Sequence, residues 1–207
     1  DVYICNGNGV ETYAPTFTYH GFRYVEVTGW PGEPPLDAFT GEVLHTDVAP
    51  VGGFECSHPL LNQIHQNIQW GVRGNLRSMP TDCPQRDERH GWLGDIANEA
   101  KAQSYEFMMA NFYRKWLDDI RLAQKDSGSI PDVAPPYWEM YSDNVTWPGT
   151  YVIIPGWYYT QYGDKRLIAR HYPHMKQWIA HMSQYIDERG LMPRDQYGDW
   201  CVPPEDP

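Results

Sequence analysis

The chain has 207 residues, 41% of them hydrophobic and 21% charged, and no apolar run approaches the ~20 residues that a helix needs to cross a bilayer. Sixteen Lys and Arg stand against 27 Asp and Glu, a formal net charge of -11 that repels a phosphate backbone. A soluble globular chain with no membrane and no nucleic-acid partner is therefore expected.

In chain order, residues 16–28 (TFTYHGFRYVEVT) are rich in β-branched and aromatic side chains, and the turn-forming WPGEPP follows them; this predicts a strand. A second β-like stretch, GEVLHTDV at 41–48, ends in Ala49-Pro50-Val51-Gly52-Gly53. Residues 1–55 thus read as the end of a β domain. After Cys56 the apolar period changes from two to about 3.6. Ser57 is the expected N-cap of a helix carrying Leu60, Leu61, Ile64, Ile68 and Val72. A polar loop over 76–94 precedes a helix at 95–109, with Ala97, Ala100, Ser104, Phe107 and Met108 inward, and then one carrying Phe112, Trp116, Ile120 and Ala123. After a long loop, helices are expected near 147–162 (Tyr151, Ile154, Tyr158, Tyr162) and over 165–188 (Ile168, Tyr172, Met175, Ile179, Met182, Ile186).

Nine Trp and 15 Tyr against only 6 Phe favour flat amphipathic rings. On an acidic protein these suit a neutral polyhydroxylated ligand, whose C–H faces stack on rings and whose hydroxyls bond carboxylates. The densest chemistry lies at 80–95, PTDCPQRDERHGWLGD, which holds Asp82, Asp87, Glu88 and Asp95 beside Arg86, Arg89, His90 and Trp92. Such clusters are usually solvated ion pairs. Here Pro80, Pro84, Gly91 and Gly94 fix the backbone, and grouped carboxylates can keep one acid protonated near neutrality. The arginines would compete with a hard cation and no Ca-loop ladder is present, so no metal is expected. Cys5, Cys56, Cys83 and Cys201 lack zinc or disulfide spacing and are expected to be unpaired.

The segment RGNLRSMPTDCPQRDERHGWLGD (73–95) resembles the signature of the bacterial α-L-rhamnosidases, glycoside hydrolase family 78. YHGFRYVEVTGWPG (19–32) is similar to the strand that ends that family's β-sandwich, GFECSHPLLNQI (53–64) to its first catalytic-domain helix, and IPDVAP (130–135) and YGDW (197–200) to barrel loops. The resemblance implies a mainly α chain, the first half of an (α/α)6 barrel over 56–207, preceded by the last strands of a β-sandwich domain over 1–55. It implies inverting hydrolysis of terminal α-L-rhamnose from glycosides or polysaccharides, with no cofactor, and leaves the compartment open. Glu88 matches the general acid. Asp82 and Asp95 match carboxylates that hold sugar hydroxyls, Arg86 a nearby polar contact, and Trp92, Trp147 and Trp200 aromatic walls. Where the family often reads W-G-D-A, this chain has Trp147-Pro148-Gly149-Thr150.

Inversion needs a second carboxylate about 6.5–9.5 Å from the acid. Twelve helices of ~11–12 residues with their connections need about 200 residues, and residues 57–207 carry about five. The chain is thus expected to be an internal piece that lacks the general base, with the remaining half of the barrel as its partner; Glu205 does not match the base by context. A glycosidase of the same barrel acting on another sugar and a non-catalytic carbohydrate-binding module are the alternatives. A polysaccharide lyase would call for a more basic cleft.

Overall fold

Five helices make up nearly all of the regular secondary structure among the described residues: α1 (Pro59–Gly74), α2 (Leu93–Glu106), α3 (Ala110–Ala123), α4 (Thr150–Tyr162) and α5 (Lys165–Ser183). The structure, a computed structural model, describes residues 1–193, 195–198 and 200; Cys201 and Glu205 lie outside the described residues. All five expected helices form, with ends shifted by a few residues. At α1 the N-cap is His58 and not Ser57, because Pro59 takes the first helical position, where its missing N–H costs nothing. Gly163, at φ 67°, closes α4, and the Asp164 side chain accepts from Arg166 N to open α5, so the two helices pack as a hairpin.

The core lies between α2, α3, α4 and α5. Trp116, Tyr113, Tyr151 and Tyr158 are fully enclosed, and their polar atoms are largely satisfied there. Trp116 Nε1 donates to Ala134 O at 2.8 Å, and Tyr113 Oη to Gln103 Oε1 at 2.6 Å. Such pairing matters because an unpaired buried donor costs about 1–3 kcal/mol. On α5 the buried face is Leu167, His171, Met175, Trp178 and Met182. The expected stripe is correct at Met175 and Met182 but wrong at Tyr172, Ile179 and Ile186, which are exposed. The helix carries two apolar stripes, and only tertiary packing selects one. Met108 is likewise exposed, because α2 ends before it. The α1 stripe of Leu60, Leu61, Ile64 and Ile68 stays 44–60% exposed.

The strands expected at 16–28 and 41–48 are not formed: among the described residues there is no sheet, only three isolated bridges. β-Branched and aromatic residues favour a pleated surface, but a strand exists only with a neighbour to complete its ladder. These two segments do not pair with each other. The second docks instead on the helical body, with Thr46 N donating to Leu76 O at 2.8 Å and Val48 entering the core. Among the described residues no helix is long and apolar enough to cross a membrane.

Candidate active site

The loop between α1 and α2 is tied shut at Asp82 and His90. Asp82 N donates to His90 O at 3.0 Å, and His90 N returns a bond to Asp82 Oδ1 at 2.7 Å. Between them Cys83 is buried, its sulfur accepting from Arg89 N. Arg89 sits at φ 53°, a left-handed conformation that costs a non-glycine residue of order 1 kcal/mol or more. It is held there by the Cys83 bond and by Tyr19, whose carbonyl accepts from the Arg89 guanidinium and whose ring lies under both Arg77 and Arg89. This fixes the residue after Glu88.

The two glycines of His-Gly-Trp-Leu-Gly-Asp are required by close approach. Leu93 N donates to Asp132 O and Ala134 N to Gly91 O, both at 2.9 Å, so 91–93 runs against 132–134. A Cβ at Gly91 would lie 2.1 Å from Ala134 O. A Cβ at Gly94 would lie 2.3 Å from the Trp147 ring. The motif and the IPDVAP segment are therefore one structural unit, and Trp147 is laid on the first turn of α2.

Around this unit opens a cavity of about 490 Å³, lined by Asp82, Arg86, Glu88, Trp92, Asp95, Trp147 and Trp200, with Gly94, Asn98 and Tyr197. All seven residues nominated from the sequence are brought together. Trp92 Nε1 donates to Glu88 Oε1 at 2.8 Å, and Arg86 Nε to Glu88 Oε2 at 2.8 Å. Arg86 Nη2 also reaches Asp82 Oδ2 at 3.3 Å. Asp82, Cys83 and Glu88 place ligand-type atoms within 4.8 Å of one another, but the cation between the two carboxylates is the Arg86 guanidinium. The free cysteines among the described residues are Cys5, Cys56 and Cys83.

Electrostatically, the carboxylates divide, and the raised one is not the matched general acid. Burial by itself pushes Glu88 up, but the bonds from Trp92 and Arg86 and the positive charge of Arg86 outweigh it and hold Glu88 below the usual carboxylate range. Neighbouring Asp82 does not keep Glu88 protonated, because Arg86 stands between them. Asp95, in the first turn of α2, is raised, chiefly by burial and further by the charges of Asp82 and Glu88. Its carboxylate meets solvent through the cleft while protein crowds its other sides. Both Glu88 oxygens accept from N–H donors, the pattern of a carboxylate.

Tyr197 was not nominated from the sequence, yet it is the aromatic centre of the site. Its ring contacts Trp147 (centroids 4.4 Å apart), Trp200 (6.0 Å) and Trp92 (6.3 Å). Asn98 was also missed, although its position three residues after Asp95 puts both on one helix face. The signal that could have found Tyr197 is the YGDW segment (197–200), which it opens and of which only Trp200 was nominated.

Comparison with known proteins agrees with this geometry. The bacterial alpha-L-rhamnosidase 6 hairpin glycosidase domain matches residues 49–207, and the bacterial alpha-L-rhamnosidase concanavalin-like domain matches residues 1–45. An alpha-L-rhamnosidase of Streptomyces avermitilis is 45% identical over 201 residues, which is 97% of this chain and 19% of that protein. The structure of alpha-L-rhamnosidase from Dictyoglumus thermophilum superposes with a TM-score of 0.88 at 47% identity, over 93% of this chain and 22% of that one. The Streptomyces avermitilis enzyme complexed with L-rhamnose superposes with a TM-score of 0.87 at 45% identity, over 94% of this chain and 19% of that one. The chain spans about a fifth of the length of these relatives. With its five helices, a motif loop built on two close-approach glycines and this match over most of its length, the chain belongs to the bacterial α-L-rhamnosidase family of six-hairpin glycosidases.

Proposed function

We propose that the protein containing this chain hydrolyses terminal α-L-rhamnosides with inversion, and that the cleft described above is its rhamnose site. The observation that carries this reading is the convergence of three carboxylates, one guanidinium and three tryptophans on a single cavity of monosaccharide scale. The relative whose crystal structure holds L-rhamnose supports the choice of sugar.

In this reading Asp82, Arg86 and Asp95 bond the sugar hydroxyls, and Trp92, Trp147 and Trp200 pack on its C–H faces. Glu88 donates a proton to the departing glycosidic oxygen as an oxocarbenium-like centre develops. Glu88 begins as a carboxylate paired to Arg86, so substrate entry must convert it. When Arg86 Nε turns to a sugar hydroxyl, Glu88 loses one hydrogen bond and the nearest positive charge while the sugar excludes water from it. Both changes raise its proton affinity. The carboxylate that activates water comes, in this reading, from a part of the protein outside the described residues.

Glu88→Gln tests the assignment in the protein containing this chain. The turnover number should fall by about 10²–10⁴-fold, more for poor leaving groups than for a nitrophenol, while L-rhamnose still binds. Undiminished turnover of an alkyl α-L-rhamnoside would remove Glu88 from the acid role. Hydrolysis of other aryl glycosides in preference to the rhamnoside would reassign the sugar.

A further inference from the structure

Beyond Trp92, the aromatic wall of the cleft comes from two separate loops, one carrying Trp147 and the other Tyr197 and Trp200. A single carboxylate joins them. Asp195 Oδ2 accepts from Val145 N and Thr146 N, both at 3.0 Å. Asp195 Oδ1 accepts from Thr146 Oγ1 and Tyr197 N at 3.0 Å and from Gly198 N at 2.9 Å. Five donors thus converge on one side chain, three from the residues just before Trp147 and two from its own loop. A parallel bond, Gln196 N to Asn144 Oδ1 at 2.6 Å, runs beside it.

The far end of Tyr197 is anchored as well. Its hydroxyl donates to Asp132 Oδ2 at 3.2 Å, and Ser142 Oγ donates to Asp132 Oδ1 at 2.7 Å. Asp132 is fully buried, and its carbonyl accepts from Leu93 N, at the first residue of α2 directly after Trp92. The chain of bonds therefore links both aromatic loops to the backbone beside Trp92.

We propose that Asp195 is a positioning residue for the sugar site: by accepting from both loops it sets the spacing of Trp147 and Tyr197 and so the width of the rhamnose slot. The inference rests on the rhamnosidase reading for its ligand but not for its mechanics. All five partners of Asp195 are donors, so only a side chain with two acceptor oxygens satisfies them. In Asp195→Asn the amide would turn its own N–H groups toward at least two of those donors, and the loops would part there.

The test compares wild type, Asp195→Asn and Thr146→Val in the protein containing this chain, each first checked for cooperative melting. Asp195→Asn should raise the dissociation constant for L-rhamnose, and KM for an aryl α-L-rhamnoside, by about ten- to a hundredfold, since hydrogen bonds to charged groups contribute about 1.5–3 kcal/mol. The turnover number should change far less, because Asp195 touches none of the reacting atoms. Thr146→Val removes one of the five bonds and should give a smaller rise in the same direction; it carries the test if Asp195→Asn does not fold. The near-UV circular dichroism of the Trp147–Tyr197–Trp200 cluster should weaken in step, without any ligand. Unchanged near-UV dichroism with unchanged KM in folded variants overturns the inference. A wild-type protein that neither binds nor cleaves rhamnosides sinks the rhamnosidase reading instead, and the dichroism then decides the loop staple alone.

Discussion

Gly94→Ala is the substitution on which local propensity and tertiary packing disagree most sharply. On propensity alone, alanine near the start of α2 would stabilise the helix by up to about 1 kcal/mol. The structure predicts the reverse. The added methyl would sit 2.3 Å from Cδ2 and 2.4 Å from Cε2 of Trp147, whereas carbon atoms pack at about 3.5–4.0 Å. The indole must retreat by roughly 1 Å or more, into a space already occupied by Tyr197 at 4.4 Å between ring centroids. Overpacking of this kind costs about 1–3 kcal/mol, so the propensity gain does not cover it. A displacement near 1 Å at a wall of the proposed sugar site is also enough to lower kcat/KM by about a hundredfold. Thermal melting and steady-state hydrolysis of an aryl α-L-rhamnoside give the two readouts. Gly156→Ala in α4 is the matched control, because nothing lies within 4 Å of its added Cβ. It should be neutral or stabilising. Activity in Gly94→Ala within twofold of wild type would show that Trp147 does not rest on α2 or does not contact the substrate.

Two further predictions concern protons. Arg86→Gln removes both a hydrogen bond and a positive charge from Glu88, so the Glu88 pKa of the free enzyme should rise, and the alkaline limb of the kcat/KM profile should move to higher pH if Glu88 is the acid; a limb that stays in place or moves to lower pH contradicts the pairing. His171 is fully buried against Tyr151, and burial drives its pKa down to about 4, so it folds neutral. Because the unfolded chain binds that proton more readily, the contribution is complete above about pH 6.5 and is lost progressively as pH falls toward 4; it amounts to about 3 kcal/mol. His171→Gln should flatten the fall in melting temperature across that range, and an equally steep fall in the variant would exclude His171 as its source.

The proton state of Glu88 shows how far residue types can mislead. Three carboxylates close in sequence suggest mutual repulsion and a raised acid, and Asp95 does rise for that reason together with burial. Glu88 goes the other way because the folded loop inserts Arg86 between it and Asp82 and turns the Trp92 N–H onto its other oxygen. The order of charges along a chain does not specify which pairs will touch. The same distinction separates the two helices with misplaced or uncovered apolar stripes from α3, whose single stripe faces the core as its spacing predicts.

By itself the sequence determined the five helices, whose 3.6-residue periods are local, and through the family resemblance it named the seven residues of the cleft, of which Asp82, Arg86, Glu88, Trp92 and Asp95 share one motif. Only the tertiary structure decided which α5 stripe is buried, that the β-rich segments build no sheet among the described residues, that Tyr197 joins the aromatic wall, and that Asp195 bonds both of its loops. Helical period and motif are written in neighbouring residues; pairing, burial and the approach of Trp147 to Gly94 depend on residues about fifty positions apart, which only folding brings into contact.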